Sequence, residues 1–353
     1  MSPPPSLGGV FGLPTGERIL DALFRVEGDV LLTGPFGPDG DSLGACLALA
    51  RVLQRHGITV HVAGDAAARY RPLPGYDTLT PDADVRPGPW AAVVICDGDR
   101  HRLAPTVKAA FDAAGFRGIV DHHRSTTPDG YHEAWLDPSA SSACEMLACL
   151  FEARGIAIDT EMAALLFAGI AFDTGNFRYS NTTPSTMRRA ADLLEHGFDH
   201  ASLVATMLVE RRREAMQLAA ETYQSVQLVC GGQLALARVP RSSHDRLGLV
   251  AGDLEGLVDN LVHIAGAHVA CLVIDRPEGG VKLSLRSRGA VDVAAIAQAL
   301  APTGGGHAKA AGVLLEGDAD RIDAMVREQV QELVAAAIAC DGPGVSRHMS
   351  AGR

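Results

Sequence analysis

The chain has 353 residues, room for about two domains at roughly 150 residues each, and its 47% apolar and 21% charged content excludes wholly disordered, collagen-like and coiled-coil classes. A formal charge of −11, from 31 Lys and Arg against 42 Asp and Glu, argues against a protein that grips long nucleic acid, including long duplexes, because counterion release needs a basic surface. The longest uncharged apolar stretch, Met162 to Phe172, is far short of the ~20 residues of a membrane span, so no membrane partner is expected.

Met1 to Leu20 carries three consecutive prolines and no basic segment ahead of an apolar core, so no secretory signal is read and a cytoplasmic location is expected. Residues 1–15 and the tail 341–353, rich in Pro, Gly and Ser, are expected to be loose. Between them, Asp29 to Thr33 reads as a strand, Asp41 to His56 as an amphipathic helix, and Ile58 to Val62, Ala91 to Cys96 and Gly118 to Val120 as strands. Strand and helix in turn, with buried Val, Ile and Leu runs, predict an α/β fold with a parallel sheet and ligands at the carboxyl ends of its strands.

Helices follow at Ser142 to Ala153, where Ser142 and Glu145 stand at capping-box spacing, at Thr160 to Phe172, at Pro184 to Glu195 with Thr183 as N-cap, and near Arg211 to Val226. Gln233 to Val239, His268 to Asp275, Val281 to Arg286 and Gly312 to Leu315 return to strand patterns, with helices at Leu254 to Ile264, Asp292 to Leu300 and Asp320 to Ile338. A smaller second α/β domain is therefore expected from about 225 to 340. The helical middle, Met162 to Phe172 included, is a candidate dimer support. Cysteines 46, 96, 144, 149, 230, 271 and 340 form no C-x-x-C pair and read as reduced core thiols rather than a zinc or disulfide framework.

Acidic and histidine clusters stand where strands should end. Asp39 and Asp41 lie two apart in the turn GPFGPDGDSLG, which suits a hard divalent cation and equally suits an acidic helix N-terminus. Asp97 follows an apolar strand in ICDGD, as a turn residue or a ligand. Asp121, His122 and His123 follow another strand; adjacent side chains point in different directions, so one imidazole is expected at a metal and the other at substrate. Asp173 ends an apolar helix, against the helix dipole, and needs a compensating partner. Convergence of Asp39, Asp41, Asp97, Asp173 and His122 would hold two Mn- or Mg-like ions, a pair that activates water and clamps phosphorus. In TGGGHAKAAG, the backbone of Gly304, Gly305 and Gly306 suits an anion, with His307 and Lys309 as added donors; a flexible loop is the plainer alternative. Arg286 could reach the same anion or sit in a surface salt bridge. No P-loop or dinucleotide-binding fingerprint is present.

The ordered motifs PDGDSLG (38–44), ICDGD (95–99), VDHH (120–123), FDTGNFRYSNTT (172–183) and SLRSRG with GGGHAKAAG (284–312) resemble the DHH phosphoesterase family with its DHH-associated C-terminal domain. The resemblance runs from about residue 25 to 335 and is strongest to the branch of nano-RNA oligoribonucleases, pAp phosphatases and phosphodiesterases of linear or cyclic dinucleotides. It implies a DHH catalytic domain over 16–200, a helical connector over 201–226 and a substrate-binding domain over 227–340, with the active site in the cleft between domains. It implies two Mn2+ ions, replaceable by Mg2+ or Co2+, with Asp97 bridging, Asp39 at the first ion, and Asp41, His122 and Asp173 at the second. His123 would contact the scissile phosphate, acting with Asp41 and Asp97 in catalysis, and Asp121 would orient the histidines. Arg286, His307, Lys309 and the Gly304 to Gly306 backbone would hold the substrate's terminal phosphate or base. The expected substrates are short RNA and dinucleotides such as pGpG and pApA, and the expected assembly is a homodimer.

One position departs from the family pattern. Pro35 stands where a histidine ligand of the first ion is usual, so that site is expected to be weakened or completed by water or by His101. A nucleotide-binding sensor with an impaired metal site is the alternative that Pro35 motivates, and an Mn-dependent pyrophosphatase is the alternative within the fold. A long-strand exonuclease of the RecJ type is disfavoured by the short chain.

Overall fold

The computed structural model of the chain describes residues 12–340; the tails expected to be loose at 1–11 and 341–353 lie outside that range. The chain divides into two compact units, the first ending at Glu210 and the second starting at Arg211.

The first unit runs α1 (Leu13–Phe24), β1 (Val30–Thr33), α2 (Gly40–Arg55), β2 (Val60–Ala63), β3 (Ala92–Cys96), α3 (Pro105–Ala113), β4 (Phe116–Asp121), β5 (Glu133–Leu136), α4 (Ala143–Ala153), α5 (Thr160–Asp173), α6 (Pro184–Leu194) and α7 (His200–Val204). Its five strands are all parallel, in the order β2-β1-β3-β4-β5. Val30, Leu32, Val94 and Cys96 pack into a core with α1, α2, α4 and α5, while Leu31, Val93 and Ile95 pack against α3. Both faces are covered, which is why these strands read as unbroken apolar runs. The chain steps from β1 to β2 on one side and then to β3 on the other, so the carboxyl ends of β1 and β3 flank the crevice where such sheets bind ligands.

Three elements carry little sequence signal. Residues 13–15 are helical rather than loose: α1 begins with Leu-Pro-Thr-Gly, but Pro14 is harmless in a first turn, and Ile19, Leu20 and Leu23 are buried. α3 begins at Pro105, and β5 is a four-residue edge strand. α5 is apolar on every side because it is the central helix: Met162, Leu165, Leu166 and Ile170 are all 0% exposed. That burial spends the stretch Met162 to Ala171 on the core of this unit. Thr183 caps α6 as expected, its Oγ1 accepting from the amide of Thr186 at 3.2 Å. At α4 only half of the expected box forms: Ser142 Oγ accepts from Glu145 N at 3.0 Å, while the Glu145 carboxylate turns to Ser141 instead.

The second unit runs α8 (Arg213–Gln224), β6 (Gln227–Val229), β7 (Leu234–Val239), α9 (Arg241–Leu247), α10 (Leu257–Leu261), β8 (Val269–Asp275), β9 (Val281–Ser287), α11 (Val293–Leu300), β10 (Gly305–His307), β11 (Ala310–Leu315) and α12 (Ala319–Cys340). Its sheet has the order β10-β11-β9-β8-β7-β6 and is antiparallel except where β7 meets β8. Leu218 of α8 packs with Ala235, Ala237 and Leu261 on one face, and Val293 of α11 and Val326 and Val330 of α12 cover the other. The helix expected over Leu254 to Ile264 is shorter, because Gly256 in the left-handed region at φ 78 separates a 3-10 turn from α10. Cys46, Cys96, Cys144, Cys149 and Cys271 are buried free thiols and Cys230 is a half-buried one; the Cys340 side chain lies outside the described residues. No helix among the described residues is long and apolar enough to cross a membrane.

Candidate metal centre

The turn after β1 separates its two carboxylates by function. Asp39 is the N-cap of α2: its Oδ1 accepts from the amides of Asp41 and Ser42, each at 3.1 Å, and Ser42 Oγ closes the box on the Asp39 amide at 2.9 Å. Asp41, one turn-step further, is fully buried and faces the start of α4. Its Oδ2 accepts from Ala143 N at 2.6 Å and its Oδ1 from Cys144 N at 2.9 Å. A carboxylate is stabilised there by two otherwise orphaned amides and the positive end of the helix.

Asp97 follows β3 and is held in the left-handed region at φ 61, a conformation that Asp tolerates better than most residues. Its amide still pairs with the carbonyl of Val120 at 2.9 Å, which fixes it beside the end of β4. Asp121 closes β4 with both oxygens occupied. Oδ1 accepts from the amides of His122 (2.9 Å) and His123 (3.3 Å) and lies 2.7 Å from His123 Nδ1, and Oδ2 accepts from Thr126 Oγ1. The two imidazoles do not diverge. β4 ends at Asp121, so the alternation of a strand stops there, and His122 Nε2 and His123 Nδ1 approach the same Asp97 oxygen at 3.3 and 3.5 Å.

Asp173, the last residue of α5, finds its compensating partner in His122, whose Nε2 lies 2.8 Å from its Oδ2. Asp41, Asp97, His122 and Asp173 each bring one ligand atom within 4.8 Å of all the others, and Asp97, His122 and His123 form a second such group. Within this set Asp97 Oδ1 and His122 Nε2 are buried and make no properly aligned hydrogen bond. Three carboxylates and an imidazole nitrogen pointing at one another without hydrogen-bond geometry fit a divalent cation.

The titration of the group follows from its burial. Burial pushes Asp41 and Asp173 upward, reinforced by neighbouring carboxylates, and pushes Asp97 up to about 7, with Asp39 and Asp41 adding to the effect. Burial alone would lower His122, but Asp173 and Asp97 beside it push it up to about 12. The bond to Asp121 raises His123, and the same bond, against burial, keeps Asp121 below the usual carboxylate range. A bound cation must displace protons from Asp97 and His122, so cation affinity is expected to rise with pH, by up to about tenfold per unit for each proton displaced. Calorimetric titrations between about pH 6 and 8 would check this, and a flat affinity would contradict it.

Other expected residues lie elsewhere. Asp39 is outside the four-donor group, although its charge acts on Asp97 and Asp41. His101 does not join the group; its side chain is 72% exposed and leans on Asp99 at 3.7 Å. Pro35 is buried with its ring against the Cα of Gly98, where a methyl would lie 3.2 Å from Pro35 Cδ, so an apolar ring occupies the neighbourhood of Asp97.

In the second unit, TGGGHAKAAG is a β-hairpin rather than a loop. β10 pairs with β11 through Gly305↔Gly312, Gly306↔Ala311 and His307↔Ala310, and the Gly304 amide donates to Ala301 O at 2.9 Å. Two of the three glycines answer to packing: a methyl on Gly304 would overlap the Ala297 carbonyl, and one on Gly306, at φ 138, would lie 2.5 Å from the Ala310 carbonyl. Lys309 Nζ donates to the carbonyls of Gly289 and Val291. Arg286 Nε pairs with Asp259 Oδ1 at 2.6 Å and its Nη1 donates to Leu285 O at 3.1 Å. The His307 side chain lies outside the described residues.

Sequence patterns alone did not single out the amides of Ala143 and Cys144, which hold Asp41, or Thr126, which holds Asp121. The Ser142 cap signal marked the helix start but not the carboxylate that would use its free amides.

Comparison with known proteins places these features. Residues 29–170 match the model of the DHH family, N-terminal domain, and residues 231–339 match the DHHA1 domain. The chain is 32% identical over 315 residues to the bifunctional oligoribonuclease and PAP phosphatase NrnA of Thermus thermophilus, covering 89% of this chain and 93% of that protein. The fold matches that of an exopolyphosphatase-related protein from Bacteroides fragilis with a TM-score of 0.82 at 20% identity, over 91% of this chain and 97% of that one. It also matches RecJ in complex with Mn2+ from Thermus thermophilus, with a TM-score of 0.56 at 15% identity, over 96% of this chain and 56% of that one. With the motif order, the all-parallel sheet and the carboxylate–imidazole group in agreement, the chain belongs to the DHH family, its DHH domain followed by a DHHA1 domain.

Proposed function

We propose that this chain is a divalent-cation-dependent phosphoesterase that hydrolyses dinucleotides and short oligoribonucleotides to nucleoside 5'-monophosphates, with pAp as a further substrate. The observation that carries the proposal is the four-donor group with its two unaligned buried atoms, Asp97 Oδ1 and His122 Nε2. The similarity to a bifunctional oligoribonuclease and PAP phosphatase supports the substrate class. Asp41, Asp97, His122 and Asp173 would hold the cation, and Mn2+ is the ion to test first, with Mg2+ and Co2+ beside it.

When bound, the cation supplies Lewis-acid polarisation of a phosphoryl oxygen and a lowered pKa for water. Asp97 and Asp41 keep the centre anionic and fixed. His123, its Nδ1 held by Asp121 and its cationic form favoured, serves as a hydrogen-bond donor to the scissile phosphate. In the cleavage a water oxygen bonds to phosphorus, the P–O3' bond breaks, and the released 3' oxygen takes a proton. In the second unit, Asp259 and the Leu285 carbonyl occupy Nε and Nη1 of Arg286, so Nη2 is the donor assigned to a terminal phosphate of the substrate.

With Mn2+ and pGpG the native protein is expected to release pG, and Asp41→Ala and His122→Ala to lose turnover by about a hundred- to a thousandfold. Full turnover by either variant would overturn the proposal. Pro35 packed against Gly98, and Asp39 engaged in its own helix cap, support one strong cation site and a weaker second one. They also support the sensor reading, which predicts tight pGpG binding without turnover at any Mn2+ concentration. Hydrolysis of pyrophosphate but not of pGpG would favour a pyrophosphatase.

A further inference from the structure

We propose that Asn181 is a positioning residue of the cation centre, an inference that rests on the assignment of that centre above. Asn181 lies in the segment between α5 and α6, and its Nδ2 donates two hydrogen bonds, one to the carbonyl of Asp173 and one to the carbonyl of Ser141, both at 3.1 Å. Asp173 brings a carboxylate to the centre from the last residue of α5. Ser141 precedes the N-cap of α4, the helix whose first two amides hold both oxygens of Asp41. One side-chain amide therefore joins the backbone that carries one ligand to the backbone that seats another.

The Ser141 end of this link is itself anchored. The buried Glu145 carboxylate accepts from Ser141 N at 3.0 Å, from Ser141 Oγ at 2.6 Å and from Thr186 Oγ1 at 3.1 Å, all on Oε2. The Asp173 end is the last residue of α5, whose carbonyl has no partner within the helix, and the hydrogen bond from Asn181 supplies one. Ligand sets must hold their atoms to about half an ångström, so a clamp at this terminus sets how well the carboxylate meets the cation. Two carbonyl acceptors demand a side chain with two donors on one atom. Alanine removes the clamp, and aspartate, of the same size, would oppose lone pairs to both carbonyls.

The full chain carrying Asn181→Ala, and separately Asn181→Asp, is titrated with Mn2+ in competition with a fluorescent chelator, and its melting is followed with and without Mn2+. Asn181→Ala is expected to bind Mn2+ about ten- to a hundredfold more weakly than the native protein, with turnover recovered at saturating Mn2+ and KM for pGpG unchanged. Asn181→Asp is expected to stay weak despite its added negative charge. If the native protein binds no cation, the centre itself is wrongly assigned. If the native protein binds and Asn181→Ala matches its affinity, the clamp alone is refuted, and a lowered cation-free melting temperature with native affinity would make Asn181 merely structural. Should Asn181→Ala not fold, Asn181→Ser, which retains a single donor, is measured in its place against the same outcomes.

Discussion

Gly169→Ala is expected to abolish cation binding and to destabilise the protein by about 1–3 kcal/mol or more, the range of overpacking in a well-filled core. Gly169 sits in the middle of α5, where alanine would ordinarily favour the helix by about 1 kcal/mol. Here a methyl would lie 2.5 Å from Asp41 Oδ1 and closer still to Cys144 Sγ. Neither neighbour can give way easily: the Asp41 carboxylate is bonded to the amides of Ala143 and Cys144, Cys144 Cβ would itself lie 2.9 Å from the methyl, and α2, α4 and α5 share one buried core. The methyl must therefore displace either the ligand or the helix. Circular dichroism melting together with Mn2+ titration would test this, and a variant with native melting and native affinity would show that the contact is softer than its geometry.

Asp97→Asn is expected to cut turnover by at least about a hundredfold while making the cation-free protein more stable. Burial, with the charges of Asp39 and Asp41, holds the Asp97 pKa at about 7, above its ordinary 3.8. A carboxylate raised in the fold contributes stability that is present below about pH 4 and is lost as pH rises through about 7, so ionised Asp97 works against the fold at neutral and higher pH. A shift of about three units corresponds to a ceiling on the order of 4 kcal/mol, and asparagine, which keeps the shape and tolerates φ 61, removes that cost. The stabilisation should therefore be largest above about pH 7 and vanish near pH 4. With saturating Mn2+ the order should reverse, because the native centre gains binding energy that the variant has lost. Melting across pH, with and without the cation, checks both halves; a variant less stable than native protein at pH 8 without cation would contradict the account.

Both expectations depend on neighbours that are distant along the chain, and this marks the limit of what could be read from residues alone. The strands β1, β3 and β4, the helix α5 and the Thr183–Pro184 start of α6 follow from local rules: apolar runs, turn residues and caps speak through nearest neighbours. The acids at the ends of those strands were visible for the same reason, because a parallel sheet puts its strand ends together whatever the details of packing. α1 was hidden by its Pro and Gly, since the burial of Ile19, Leu20 and Leu23 is what holds it.

What the residues could not decide is which polar group is spent on which partner. Asp39 and Asp41 are equivalent in sequence, yet one caps its own helix while the other serves amides 102 and 103 positions away. His122 and His123 converge because β4 stops at Asp121, and Arg286 and Lys309 are engaged by Asp259 and by backbone carbonyls that no motif announces. In GGGH, Gly304 and Gly306 are required by carbonyls packed against them, while a methyl on Gly305 would meet nothing. Sequence by itself determined the succession of elements, the parallel sheet and the kind of chemistry at its edge, because these rest on propensity, pattern and composition. The tertiary structure alone decided which four of the five candidate ligands bring an atom within 4.8 Å of one another and what holds them, because hydrogen bonds and packing act between atoms that only folding brings together.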